Sequence, residues 1–128
     1  MKLNEYVKGA NKTINYELSE DERMLQASMG MTGEAAEVMD IIKKIRCQGH
    51  KLDEEKVNKI LTECGDVIWY LNLMIHTINT TWENVFEINN IKLSKRYNKG
   101  KFDKDDSINR VVWYGIYYNK NERMEEWN

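Results

Sequence analysis

Proline is absent from all 128 residues. That favours long uninterrupted helices and argues against a turn-rich β fold. Only two cysteines occur, Cys47 and Cys64, without CxxC or zinc-like spacing. Neither a disulfide framework nor a thiolate metal site is expected, and both read as small core residues of a cytoplasmic protein. No long hydrophobic run is present: the longest, over residues 67–75, is broken by Asn72 and is too short to cross a bilayer. The opening MKLNEYVKGANK has no apolar signal core, so neither export nor a membrane partner is expected. Excess positive charge is missing too. The net charge is −2, and no global basic field recruits nucleic acid.

What is present is a chain of one-domain size, 41% hydrophobic and 31% charged, which is the balance of a globular protein. Its most informative feature is two acidic pairs, Glu34 and Glu37 in GEAAE, then Glu63 and Asp66 in ECGD. Spacing of i, i+3 puts both carboxylates of a pair on one side of a helix. At about 100° per residue, Ala27, Met31, Val38, Ile41 and Ile45 all fall within roughly 60° of Glu34. Glu34 therefore belongs to an inward apolar stripe, where an unpaired charge is costly. Four converging carboxylates require something cationic, and a divalent metal is the simplest candidate.

The pattern predicts a short leading helix over residues 2–12. Ser19 and Glu22 form a capping box that opens a helix to about Cys47, with Gly49 as its stop. Gly30 and Gly33 weaken that helix by about 1 kcal/mol each, which suggests close approach by another backbone or a ligand. After a polar linker over residues 48–53, a helix is predicted over residues 54–79. Val57, Ile60, Leu61, Cys64, Ile68, Leu71, Ile75 and Ile78 form its stripe, while Trp69, Tyr70 and Leu73 lie outside it. Its C-terminal half is thus apolar nearly all round, which predicts covering by a second subunit. Thr80 and Glu83 open a further helix through about Tyr97. The aromatic tail fits either a strand or a helix face. His50 and His76 read as incidental.

Carboxylates without nearby histidine or thiolate specify a hard oxygen site, hence Mg²⁺ with Mn²⁺ as substitute. A diiron bundle would want Glu-x-x-His pairing, which is missing. Mg²⁺ held by a few carboxylates picks up substrate phosphates. Lys92 and Arg96, spaced i, i+4, share one face and suit a polyphosphate. Lys43 and Lys44 follow the first acidic helix, and Lys99 and Lys101 flank Gly100.

GMTGEAAEVMDIIKK, ECGDVIWYLNLM and NNIKLSKRYNKGKF, in that order, resemble MazG-like nucleotide pyrophosphohydrolases of the all-α NTP pyrophosphatase superfamily. The resemblance covers about residues 20–102. Its ExxE element matches Glu34 and Glu37, and its ExxD element matches Glu63 and Asp66. Asn89, Lys92, Arg96 and Tyr97 match the downstream Asn/Lys/Arg motif. What this implies is an all-α bundle of four or five helices, assembled as a dimer or tetramer. Residues 1–102 would be the catalytic domain, and residues 103–128 an extension packed on that domain or on a neighbouring subunit. The implied activity is Mg²⁺-dependent cleavage of a nucleoside triphosphate to monophosphate and pyrophosphate, serving nucleotide-pool control. Glu34, Glu37, Glu63 and Asp66 would hold metal and carry the catalysis. Asn89, Lys92, Arg96, Lys43, Tyr97 and Lys101 would contact substrate. Two alternatives stand beside this reading: a dUTPase-like or other nucleotide polyphosphate hydrolase, and a non-catalytic helical oligomer that senses nucleotides.

Overall fold

The computed structural model describes residues 1–109, and among these every regular element is an α-helix. The helices are α1 (Leu3–Asn11), α2 (Glu20–Cys47), α3 (Glu54–Thr77), α4 (Trp82–Arg96) and α5 (Lys104–Ile108). All four predicted helices are present, each within two residues of its expected ends. The aromatic tail beyond Asn109 lies outside the described residues. Contacts divide the chain into two compact units, Met1–Trp82 and Glu83 onward.

Local chemistry sets the helix ends. The Ser19 hydroxyl accepts from the Glu22 backbone N–H at 3.3 Å, and the Glu22 carboxylate accepts from the Ser19 N–H at 2.8 Å. Two donors at the start of α2 are thereby satisfied reciprocally. At its other end Gly49 takes φ +72°, a left-handed conformation that costs glycine nothing. That turn lets the His50 N–H reach the Lys44 carbonyl at 3.2 Å. The Asp53 carboxylate caps α3 by accepting from the Lys56 N–H at 3.0 Å.

In the first unit α2 packs along α3, and α1 packs on α3. The core is small: Ile14, Ala27 and Leu73, with Trp69, Tyr70 and Met74 packed against them. The inward stripe of α2 is as its period predicts. Ala27 is fully buried, while Met31, Glu34, Val38, Ile41 and Ile45 are half-buried. Gly30 has a specific reason to lack a side chain, because a Cβ there would overlap the Tyr70 ring. The close approach expected at the paired glycines is thus made by an aromatic side chain, and only at Gly30. Gly33 has open space where its Cβ would stand.

Two expectations are corrected. Cys47 and Cys64 are both exposed rather than core residues. The three-and-four stepping along α3 had merged two faces, and Cys64 falls with Val57, Leu61 and Ile68 on the open one. The wrapped half of α3 is covered by its own chain. Leu73 is 1% exposed within the core, and the Trp69 indole donates to Thr13 Oγ1 at 2.8 Å. That half therefore gives no argument for a second subunit.

A polar clasp ties the segment from Asn11 to Tyr16 onto α3. Asn72, 2% exposed, donates to Asn11 Oδ1 at 2.8 Å and accepts from the Trp82 indole at 3.0 Å. Asn11 Nδ2 lies 3.5 Å from His76 Nδ1, and the Tyr16 hydroxyl lies 3.2 Å from His76 Nε2. That hydroxyl donates in turn to the Asn11 carbonyl at 3.3 Å. Every member is satisfied when neutral His76 carries its proton on Nε2. His76 is therefore a structural partner rather than incidental.

Candidate metal centre

Glu34 rides on α2, and Glu63 and Asp66 on α3, the two helices that make the principal packing contact of the first unit. One carboxylate oxygen from each of the three lies within 4.8 Å of the others. Glu34 and Glu63 are half-buried and Asp66 is exposed, so the cluster has a shielded side and an open side. Glu37 is exposed and stands outside the group. It lies nearly one helical turn C-terminal to Glu34 and rotated from it by about 60°, and its charge is still felt at Glu34.

The electrostatics record the crowding. Partial burial, and then the charges of Asp66, Glu63 and Glu37, push the Glu34 carboxyl above its ordinary value. A hydrogen bond with Glu63 acts in the same direction. Raised proton affinity of this kind is the signature of a site that wants a positive charge.

The donor set fits a hard divalent cation. All three candidate donors are carboxylate oxygens, and no histidine or thiol among the described residues contributes to the group. With one oxygen from each within 4.8 Å of the others, Glu34, Glu63 and Asp66 are the residues that would hold such an ion. Three carboxylates also leave coordination positions for water or phosphate oxygen.

The remaining sequence-derived candidates divide by location. Lys43 is exposed on α2 and pairs with Asp40, which Lys44 also grips at 2.5 Å. Hydrogen bonds from those two ammonium groups hold the Asp40 carboxyl down to about 2. Asn89, Lys92, Arg96, Tyr97 and Lys101 belong to the second unit. There Asn89 and Lys92 are exposed on α4, and Arg96 is half-buried with its guanidinium 5.9 Å from the centroid of the Tyr97 ring. Tyr97 in turn packs on Phe102 at 5.8 Å between ring centroids. Lys101 is exposed in the loop before α5.

Sequence reasoning overlooked Tyr6. This half-buried phenol on α1 is raised above its ordinary value first by burial and then by the charge of Asp66. Nothing in the period of a nine-residue helix singles it out; only the packing of α1 on α3 does.

Comparison with known proteins places these residues in context. The family model described as the MazG nucleotide pyrophosphohydrolase domain matches residues 23–102, a span that holds all four motif carboxylates. Over 80 residues the chain is 30% identical to the Gene 37 protein of Mycobacterium phage L5, covering 62% of this chain and 70% of that protein. No solved structure matches. With an all-helical fold, acidic pairs on two adjacent helices and a family match across most of its length, this chain belongs to the MazG nucleotide pyrophosphohydrolase family.

Proposed function

We propose that this protein hydrolyses nucleoside triphosphates, in the ribo or deoxyribo series, to monophosphate and pyrophosphate with Mg²⁺, Mn²⁺ serving as substitute. The role is control of the cytoplasmic nucleotide pool. One observation carries the reading: in a chain of the MazG family, carboxylate oxygens of Glu34, Glu63 and Asp66 gather within 4.8 Å. A cation bound there would neutralise triphosphate charge and acidify an attacking water. Glu34 and Glu63, being half-buried, are the anchoring ligands, and exposed Asp66 faces the side from which substrate arrives. Glu37 enters as a ligand to a second ion or as the carboxylate that orients water. Residues 1–102 make up the catalytic domain and residues 103–128 an extension.

Lys92 and Arg96 are assigned to phosphate oxygens, supported by their shared face on α4 and by the family match through residue 102. Asn89, Tyr97, Lys101 and Lys43 complete the substrate set. Displacement at phosphorus depends on positioning and charge stabilisation more than on covalent chemistry. Arg96→Ala is therefore expected to lower kcat by about a hundredfold with metal affinity little changed.

The protein works as a homo-oligomer, a dimer at least. Val57, Leu61, Cys64 and Ile68, at steps of four, three and four, leave an exposed stripe on α3. Leu25, Met29, Ala36 and Met39 do the same on α2. Among the described residues five apolar side chains are buried, and the stripes beside so small a core are complemented most simply by the same surfaces of a second copy.

The test is product analysis by chromatography after incubation of the purified protein with a panel of nucleoside triphosphates and Mg²⁺. Monophosphate and pyrophosphate are expected. Diphosphate and orthophosphate would mean attack at the γ-phosphorus and would overturn the reading. Nucleotide binding without cleavage would make the chain a sensing module.

A further inference from the structure

Gly30 and Tyr70 meet one helical turn away from the acidic cluster. A Cβ on Gly30 would stand 2.5 Å from Tyr70 Cγ and nearer still to Cδ1 and Cε1. The ring therefore lies directly on the α2 backbone, in space that any other residue would fill. From Gly30 the chain runs four residues forward to Glu34; from Tyr70 it runs four and seven back to Asp66 and Glu63. Steps of four and seven return to the same face of a helix, within about 40°. At about 1.5 Å per residue, Glu34 and Asp66 each lie roughly 6 Å along their helices from the contact. The residues that meet ascend on α2 and descend on α3, first Gly30 with Tyr70, then Glu34 with Asp66 and Glu63. The two helices thus run in opposite senses, and the contact and the cluster are successive layers of one seam.

The ring has little freedom to yield. It packs against the core of Ile14, Ala27 and Leu73, and it stands edge-on to the Trp69 ring, with centroids 5.0 Å apart and planes at 88°. The Trp69 indole is itself held by its hydrogen bond to Thr13. Non-bonded carbons rest about 3.5–4.0 Å apart, so a methyl at Gly30 needs about 1 Å more room between the helices. Close-packed surroundings pass such a displacement on rather than absorb it. In the next layer Glu34 from α2 must meet Glu63 and Asp66 from α3, so the separation of the helices decides how far apart their oxygens stand. Cations differ in what they accept: Mg²⁺ demands oxygens at about 2.0–2.1 Å, whereas Ca²⁺ takes about 2.3–2.6 Å in a looser shell.

We propose that Gly30 and Tyr70 form a spacer that sets the ion size accepted by Glu34, Glu63 and Asp66, favouring Mg²⁺ and Mn²⁺ over the larger Ca²⁺. Both are positioning residues, acting through the distance between two helices rather than by touching the ion. This role rests on the metal-dependent reading of the site.

The experiment measures Mn²⁺ binding to the full chain by electron paramagnetic resonance, and Ca²⁺ binding by displacement of that Mn²⁺. Melting curves in chelator and nucleotide hydrolysis are measured in parallel. Gly30→Ala, which pushes the helices apart, is expected to weaken Mn²⁺ binding by about tenfold, comparable with losing a residue behind a metal ligand. Ca²⁺ binding should weaken much less, so the ratio of Mn²⁺ to Ca²⁺ affinity falls. Tyr70→Leu takes the ring out of the gap and is expected to raise that ratio. Gly33→Ala makes the same substitution on the same helix where no described atom lies within 4 Å, and should leave the ratio at its wild-type value. A wild-type ratio in both Gly30→Ala and Tyr70→Leu overturns the spacer and leaves the proposed activity standing. So does a fall of both affinities by one factor, which is what general loosening gives. If Gly30→Ala does not fold, Tyr70→Leu alone decides. Wild type that neither binds Mn²⁺ nor hydrolyses nucleotide overturns both the spacer and the activity.

Discussion

Asn72, Leu73, Ile75 and Thr77 are all buried in the C-terminal part of α3, whereas no residue from 54 to 68 on the same helix is buried. One continuous helix thus passes from a dry, tightly determined environment to an open one. The dry part carries uncharged polarity only: the Asn72 amide is matched donor for acceptor by Trp82 and Asn11. The open part carries Glu63 and Asp66 and, on its outer side, an apolar stripe. The Asn72 amide is satisfied within the fold, as burial of a polar group demands, and that commits its surroundings to structure. Carboxylates that exchange water, cation and phosphate need the half that the core does not reach. The candidate metal centre lies at this boundary, with Glu34 and Glu63 partly shielded and Asp66 open.

The largest expected effect comes from breaking the open half at its charges. Glu63→Gln should reduce hydrolysis by about a hundredfold or more, comparable to removing an essential electrostatic group. It should also abolish the rise in Tm that Mg²⁺ produces by mass action. Calorimetry with and without Mg²⁺ checks this, and an undiminished metal-induced shift would sink the assignment of Glu63 as a ligand.

Packing comes next. Leu73→Ala, at 1% exposure, should cost about 2–5 kcal/mol in urea unfolding. Leu61→Ala, at 63% exposure, should cost less than about 0.5 kcal/mol in the isolated chain. Leu61→Glu is instead expected to lower the sedimentation coefficient toward that of a monomer. Equal losses from Leu73→Ala and Leu61→Ala would erase the contrast between the two halves.

Two glycines on α2 sharpen the contrast on a smaller scale. Gly30→Ala drives a methyl into the Tyr70 ring and should destabilise by about 1–3 kcal/mol. Gly33→Ala meets no atom of the described residues within 4 Å, and relief of the helix penalty should stabilise it by up to about 1 kcal/mol. Thermal melts of the two variants side by side suffice. A loss at Gly33 would point to a second copy against that surface.

The smallest effect concerns pH in the absence of metal. The folded value of Glu34 lies above its unfolded one, so its contribution is present below the unfolded value and lost as pH rises through the folded value. Chelated protein should therefore gain Tm on acidification from neutral pH toward the ordinary glutamate range, and Glu34→Gln should flatten that slope. Asp40 acts in the opposite sense and in a separate window. Its contribution is present above the ordinary 3.8 and lost as pH falls through about 2. Melts at stepped pH in chelator distinguish the two.

Much of this was legible from residue order. Ser19 with Glu22, Asp53 and Gly49 mark helix ends because capping is a matter of a few neighbouring atoms. The inward face of α2 was readable for a similar reason: an unbroken 3.6-residue period assigns each side chain an angle about the axis. The same reasoning put Glu34 on the packed side and recognised both acidic pairs. It failed on α3, where two apolar stripes share one helix. An angle does not say which side meets the core, so Cys64 and Leu61 were grouped with Ile75.

Helices, their ends and the four candidate carboxylates follow from the sequence alone, since each depends on interactions within a few residues along the chain. That oxygens of Glu34, Glu63 and Asp66 come together without Glu37 was decided by how α2 lies on α3. The covering of Leu73 and the hydrogen bond from Asn72 to Asn11 were decided by α1 and the residues after it folding back onto α3. These pairings join residues about 30 to 60 positions apart, and no local preference specifies them. Only the burial of a shared apolar surface does.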